Sequence, residues 1–154
     1  EKKKKKKGGA GLPGPAGPAG IAGAASDFVE PHNSLGINQS WTDLAAVGPR
    51  VSITVPASGR VLVMLAATFE HGGNGAGAYM GFESTGGSGN VVPAETRAIY
   101  FALKTADTGA LTLSGIFPVA GLSAGEHTFT AKYKTIGSAG TGFHHRSMTV
   151  IPLP

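Results

Sequence analysis

No cysteine occurs among the 154 residues. That excludes a disulfide scaffold, a thiolate zinc site, an iron–sulfur cluster and a cysteine nucleophile, and it leaves the redox compartment open. Charge is scarce as well. Only 14% of residues are Asp, Glu, Lys or Arg, against about a quarter in ordinary soluble domains. No stretch of about 18 apolar residues is present, so no membrane insertion is expected. The formal net charge of +4 has one source, the unbroken run Lys2 to Lys7 after Glu1. Without residues 1–7 the chain carries seven basic and eight acidic side chains. A nucleic-acid reader needs a basic face, and this body supplies none, so no nucleic-acid partner is expected. The Lys run has no apolar region behind it and is not a signal peptide. It reads as a solvated, disordered segment, native or added, and a start at Glu1 rather than Met reads as a fragment.

Glycine is what the chain has in excess, at 25 residues. Gly8, Gly11, Gly14, Gly17, Gly20 and Gly23 fall at a strict spacing of three, with Pro13, Pro15 and Pro18 between them. This is Gly-X-Y, the pattern of a collagen triple helix. Three polyproline-like chains wind about one axis, and only glycine fits where each chain meets it. A collagen helix needs three chains, so the pattern implies a homotrimer. Residues 8–25 would span about 55 Å, which is short for a self-supporting triple helix. The neighbouring domain is therefore expected to drive trimerisation.

The triplets stop near Ser26, and Phe28, Val29 and Leu35 then mark a second region. The expected organisation is a Lys-rich segment 1–7, a stalk 8–25 and a domain 26–154. No long apolar stripe of period 3.6 occurs in that domain, whereas strand signals recur. Expected strands are 51–55, 60–70 (buried on both faces), 78–84, 96–105, 111–117, 127–135 and 144–153, with edge segments near Trp41. In 127–135, Phe129, Ala131 and Tyr133 should share one face, and Thr128, Thr130, Lys132 and Lys134 the other. Gly-rich loops 71–77 and 84–90 separate the strands. About eight short strands with such turns point to an antiparallel β-sandwich or jelly roll.

The C-terminal stretch adds a likeness. Gly125 to Lys134, Gly140-Thr141-Gly142-Phe143 and Arg146 to Leu153 resemble the closing strands of small domains at the ends of phage tail fibres and minor tail proteins. These domains often follow collagen-like stalks. The stalk-then-knob layout is also similar to that of C1q/TNF-like trimers and of collagen-like surface filaments of bacterial spores. The resemblance implies a trimeric jelly-roll knob in a virion tail or another extracellular setting, used for host attachment or as a fibre cap. Its partners would be other tail proteins and a host-surface glycan or protein receptor. It assigns no receptor and no binding residue.

Candidate chemistry is sparse. His144 and His145 are neighbours in a strand and are expected on opposite faces. One of them could meet its two copies on a trimer axis, but no HxH or HxxxH spacing supports a metal site, and no cofactor is expected. His127 is read at a strand start, and His71 and His32 in loops. Glu70–His71 and Glu126–His127 should point apart. Ser123-Ala124-Gly125 lacks the nucleophile elbow, and 72–77 lacks the GK[ST] ending of a phosphate loop. No enzyme is expected. Asn38-Gln39-Ser40 fits the glycosylation pattern, which has a high chance rate. Trp41, the sole Trp, reads as a core or interface anchor. Loops at the end of a rigid sandwich are the better binding candidates, which selects His71, Asn74, Tyr79, Ser88 and Asn90. A carbohydrate-binding module is the alternative. It would need Tyr79, Phe82 and Phe143 as an exposed aromatic platform.

Overall fold

The computed structural model describes residues 23–71, 77–102 and 109–154. The Lys run and the triplets up to residue 22, with Gly8, Gly11, Gly14, Gly17 and Gly20, lie outside the described residues. So do 72–76, with Asn74, and 103–108. The described strands are β1 (Ala25–Val29), β2 (Asn33–Leu35), β3 (Arg50–Val55), β4 (Arg60–His71), β5 (Gly77–Gly86), β6 (Ile99–Ala102), β7 (Gly109–Val119), β8 (Gly125–Ile136) and β9 (Thr141–Leu153). A single 3-10 turn covers Glu95–Arg97, and no α-helix occurs among the described residues.

The strands form two antiparallel sheets in a jelly-roll-like sandwich. One runs β1-β9-β4-β7, with β2 also on β9, and the other runs β3-β8-β5-β6. Alternation along each strand produces the core. Val51, Ile53 and Val55 of β3 point inward, as do Phe129, Ala131 and Tyr133 of β8. Val61, Val63, Leu65, Ala67 and Phe69 of β4 meet them from the other sheet. Aromatic rings fill the middle. Phe69 lies 5.3 Å from Phe143 and 5.9 Å from Phe101, and Tyr133 lies 4.9 Å from Phe143 between centroids. Such tilted pairs add about 0.5–1.5 kcal/mol each beyond the area they bury.

Several expectations need correction. β4 is not buried on both faces, because Arg60, Met64 and Glu70 alternate outward. The strand expected over 96–105 begins only at Ile99, because Glu95–Arg97 curls into the 3-10 turn first, and its residues 103–105 lie outside the described residues. Thr130 and Lys134, although on the outer face of β8, are buried. The segment before β3 pairs with β8 through the bridge Thr42–Tyr133 and the bond from Thr135 N–H to Asn38 O at 2.8 Å, and its Trp41 ring lies against Lys134. The edge segment expected near Trp41 is this one.

The pairing register defines two ends. At one end lie Gly23, whose added Cβ would stand 3.6 Å from Pro152, and the register pair Ala25–Val150. The 55–60, 86–90 and 120–126 connections are at this same end. Gly89 shows how tightly they pack. Its φ is +76°, and a Cβ there would collide with the Gly121 carbonyl. At the other end β4 finishes at His71, β5 begins at Gly77 and β9 begins at Thr141. The chain thus enters the sandwich at one end, and β4 finishes and β5 begins at the opposite end.

Candidate functional site

This polarity separates the loop candidates. His71 and Tyr79 belong to the far end, whereas Ser88 and Asn90 sit at the entry end. The described residues that flank the two Gly-rich loops therefore lie at opposite ends of the sandwich. Ser88 is held structurally: its N–H donates to Ser123 Oγ at 3.0 Å and its carbonyl accepts from Ser123 N–H at 2.9 Å. Asn90 is exposed beside it.

His71 is the last residue of β4 rather than a loop residue, and it is 1% exposed. Its Nε2 is 3.1 Å from Thr141 Oγ1, and its ring packs 5.6 Å from Phe101. Burial lowers its pKa from the ordinary 6.5, because the charged form loses water. Glu70, its neighbour, points out, as strand alternation requires. A shallow, open cleft of about 490 Å³ lies here, lined in part by His32, Glu70, His71 and Thr141.

The adjacent histidines behave differently from expectation. Ala66 pairs with Ser147 but Thr68 pairs with His144, so two residues of β9 oppose one of β4. This β-bulge places His145 at φ +48° and breaks the alternation. Phe143 and Arg146 are both fully buried, and His144 and His145 both turn outward, their rings 4.7 Å apart. His145 stacks on Phe28 at 6.4 Å, and His144 lies 5.9 Å from His32. Glu70 Oε2 is 3.6 Å from His32 Nε2 and 4.0 Å from His144 Nε2. Burial, and then the neighbouring His145, lower the pKa of His144 against the pull of Glu70. Among the described residues no three such side chains form a group that could hold a metal ion.

A Ser–His pair does occur, and it is not a nucleophile with its base. His127 lies within β8, 1% exposed, with Nε2 3.2 Å from Ser123 Oγ and 3.0 Å from the Ser123 carbonyl. A carbonyl only accepts, so Nε2 is assigned the proton and cannot take one from the serine. Its Nδ1 is buried without a partner, so no acid orients the ring.

The aromatic platform expected at Tyr79, Phe82 and Phe143 is not there: Phe82 and Phe143 are 0% exposed and belong to the core. Alternation sends Phe82 inward, and the bulge sends Phe143 with it. Tyr79 faces outward but is covered. Tyr100 of β6 stacks on it at 4.4 Å and Trp41 meets it edge-on at 6.1 Å. Lys134 Nζ lies 4.9 Å above the Tyr79 ring and 5.3 Å above Trp41, and it pairs with Glu95. Tyr79 O–H donates to Glu95 Oε2 at 3.2 Å. Burial, then the Glu95 charge, push the Tyr79 phenol up to about 12. Sequence reasoning passed over Tyr100, Glu95 and Lys134. The signal it could have used is Gly77-x-Tyr79-x-Gly81, one aromatic ring flanked by two bare positions on the same strand face.

The structure also carries a broad outer surface on the β1-β9-β4-β7 sheet. Leu62 pairs with Pro118 and Ile151, and Met64 pairs with Ile116 and Thr149. Phe28 is 57% and Ile116 59% exposed, and Met64 lies open between them. No charged side chain stands on the outer face of β4 between Arg60 and Glu70.

No protein-family model matches the chain, and no curated protein matches it. Among solved structures it is similar to one entitled "Structure of infectious bursal disease virus Gx strain", at 10% identity and a TM-score of 0.39. That likeness covers 84% of this chain and 32% of the other, so the chain spans about a third of its neighbour's length. So loose a likeness identifies neither a family nor an activity.

Proposed function

We propose that this chain is a structural and adhesive protein acting as a homotrimer, in which the sandwich is a knob that holds three collagen-like segments in register. The observation that carries this reading is the apolar patch on the outer face of the five-stranded sheet, between Arg60 and Glu70 of β4. The sandwich interior is already filled, yet Phe28, Met64 and Ile116 remain 57%, 37% and 59% exposed on this face, beside Leu62, Pro118 and Ile151. Contiguous apolar surface of this kind marks an interface. The Gly-X-Y repeat of residues 8–25 calls for two further copies of the same chain. The chain enters through β1, which belongs to that same sheet, so copies packed on this face would bring three stalk ends together.

The far end, away from the stalk, is then free to touch a surface. Three copies would multiply a weak contact, since the second and third contacts become intramolecular. The likeness of residues 125–153 to phage tail knobs supports a place in a tail fibre or tail tip, beside other tail proteins and facing a host-cell receptor.

Light scattering behind size exclusion tests the reading on the full chain. The expected mass is three times the 15.4 kDa of one chain. The double substitution Met64→Glu with Ile116→Glu should yield single chains that keep the β-sheet signature in circular dichroism. A wild-type mass of one chain would sink the proposal.

A further inference from the structure

The outer positions of β5 near the far end read Gly77, Tyr79 and Gly81. A Cβ at Gly77 would stand 2.9 Å from the Tyr100 ring, and one at Gly81 would stand 2.9 Å from the Trp41 ring. Only glycine leaves room for those two rings to lie beside Tyr79. The result is a row across the sheet, because Tyr79 pairs with Tyr100 on one side and with Lys134 on the other. Trp41 and Tyr79 already share the Lys134 ammonium, so neither offers a cage to an outside cation. Tyr100 differs. It is stacked against Tyr79 on one side, yet it is 45% exposed. Among the described residues β6 is the last strand of its sheet, and none of them pairs with its other edge.

We propose that the open ring face of Tyr100 is the stacking platform of a carbohydrate subsite, with the exposed Glu95 carboxylate, bonded to the stacked Tyr79, accepting hydrogen bonds from the sugar's hydroxyls. A pyranose has one face of C–H groups and a rim of hydroxyls. It therefore asks for a rigid aromatic face with polar acceptors at its edge, the mixture found in ligand sites generally. The Glu95 side chain is 55% exposed, so its carboxylate keeps lone pairs free while it holds Lys134 and Tyr79. Each ammonium nearby is already paired. Lys132 is bonded to Asp43 at 2.9 Å and to Glu83 at 3.0 Å, and Lys134 is bonded to Glu95. A neutral ligand suits such a patch better than a strong ion. The inference deepens the adhesive reading above by giving its contact a ligand class, and it does not depend on the number of chains.

The test uses the full chain and the methyl glycosides of glucose, galactose, mannose and N-acetylglucosamine. A single stacked sugar binds weakly, with Kd on the order of millimolar. Saturation-transfer NMR reads contact at the sugar's C–H protons. Trp41 is the only Trp, and its ring sits 6.1 Å from Tyr79, so its emission reports the same event from the protein side. At least one glycoside should bind, Tyr100→Ala should weaken it about tenfold or more, and Tyr100→Phe should retain it within about twofold. Absence of transfer from all four glycosides overturns the proposal, and so does binding that Tyr100→Ala leaves unchanged. Light scattering on the same samples keeps the two readings apart. Sugar binding by single chains would uphold the subsite and sink the trimer, and a trimer that binds no sugar would do the reverse.

Discussion

Arg146 is 0% exposed, which makes it the largest fully buried side chain among the described residues. No carboxylate pairs with it there. Instead Nη1 donates to the Ala46 carbonyl at 3.1 Å and reaches the Gly48 carbonyl at 3.4 Å, and Nη2 donates to the Pro31 carbonyl at 3.2 Å. The guanidinium lies 5.6 Å over the Tyr133 ring, and the Tyr133 hydroxyl donates to Gly48 O at 2.7 Å. One cation therefore ties the β1–β2 connection and the approach to β3 onto β8 and β9. Arg146→Met keeps most of the volume and removes the donors. Three charge-assisted bonds at about 1.5–3 kcal/mol each give a gross loss of about 4–9 kcal/mol. Removing an unpaired buried cation also removes a desolvation penalty of several kcal/mol. The expected net loss is about 2–4 kcal/mol. Urea unfolding at fixed protein concentration reads it as a midpoint lowered by about 1–2 M. Amide exchange should rise first in residues 44–48. A loss under about 0.5 kcal/mol, or any gain, would show that the guanidinium does not hold these carbonyls together.

Three further outcomes are expected. Gly89→Ala should cost about 1–3 kcal/mol in urea unfolding, from its left-handed backbone and the collision with Gly121; an unchanged midpoint would show that the entry-end loops do not pack as described. His71 and His144 both have pKa values lowered by burial, so the unfolded chain binds protons more readily than the folded one. Their stabilising contribution is complete above pH 6.5 and is lost as pH falls below it, and His71→Gln should flatten that acid-side slope in unfolding measured from about pH 7.5 to about pH 5. The Tyr79 phenol, raised to about 12, stabilises the fold fully below pH 10 and less as pH climbs towards 12. Absorbance titration of the Tyr79→Phe variant should therefore match wild type up to about pH 10; a missing phenolate signal below that pH would contradict the stacked, Glu95-bonded ring.

Local pattern made parts of this protein readable. Val51-Ser52-Ile53-Thr54-Val55 and Phe129-x-Ala131-x-Tyr133 alternate with period two, and both became strands with those residues inside. Pattern failed where a contact distant in sequence overrode it. The bulge opposite Ala67 reversed the parity of β9 and put both His144 and His145 outside. The reach of Glu95 to Lys134 and Tyr79 goes with a turn where a strand was expected. Phe82 and Phe143, eligible as a sugar platform by residue type, were taken by the core. Tyr100 is 45% exposed on β6, the last strand of its sheet among the described residues.

The sequence by itself determined the strand-rich class, the spacing of three between glycines from Gly8 to Gly23, and the low charge of the body. These depend on residue type and spacing of two or three along the chain, which is local chemistry. Tertiary structure alone decided which strand ends share an end of the sandwich, which aromatic rings see solvent, and which sheet presents an apolar patch. Those outcomes depend on strand order and register, which are fixed by burying inner faces contributed from across the whole domain.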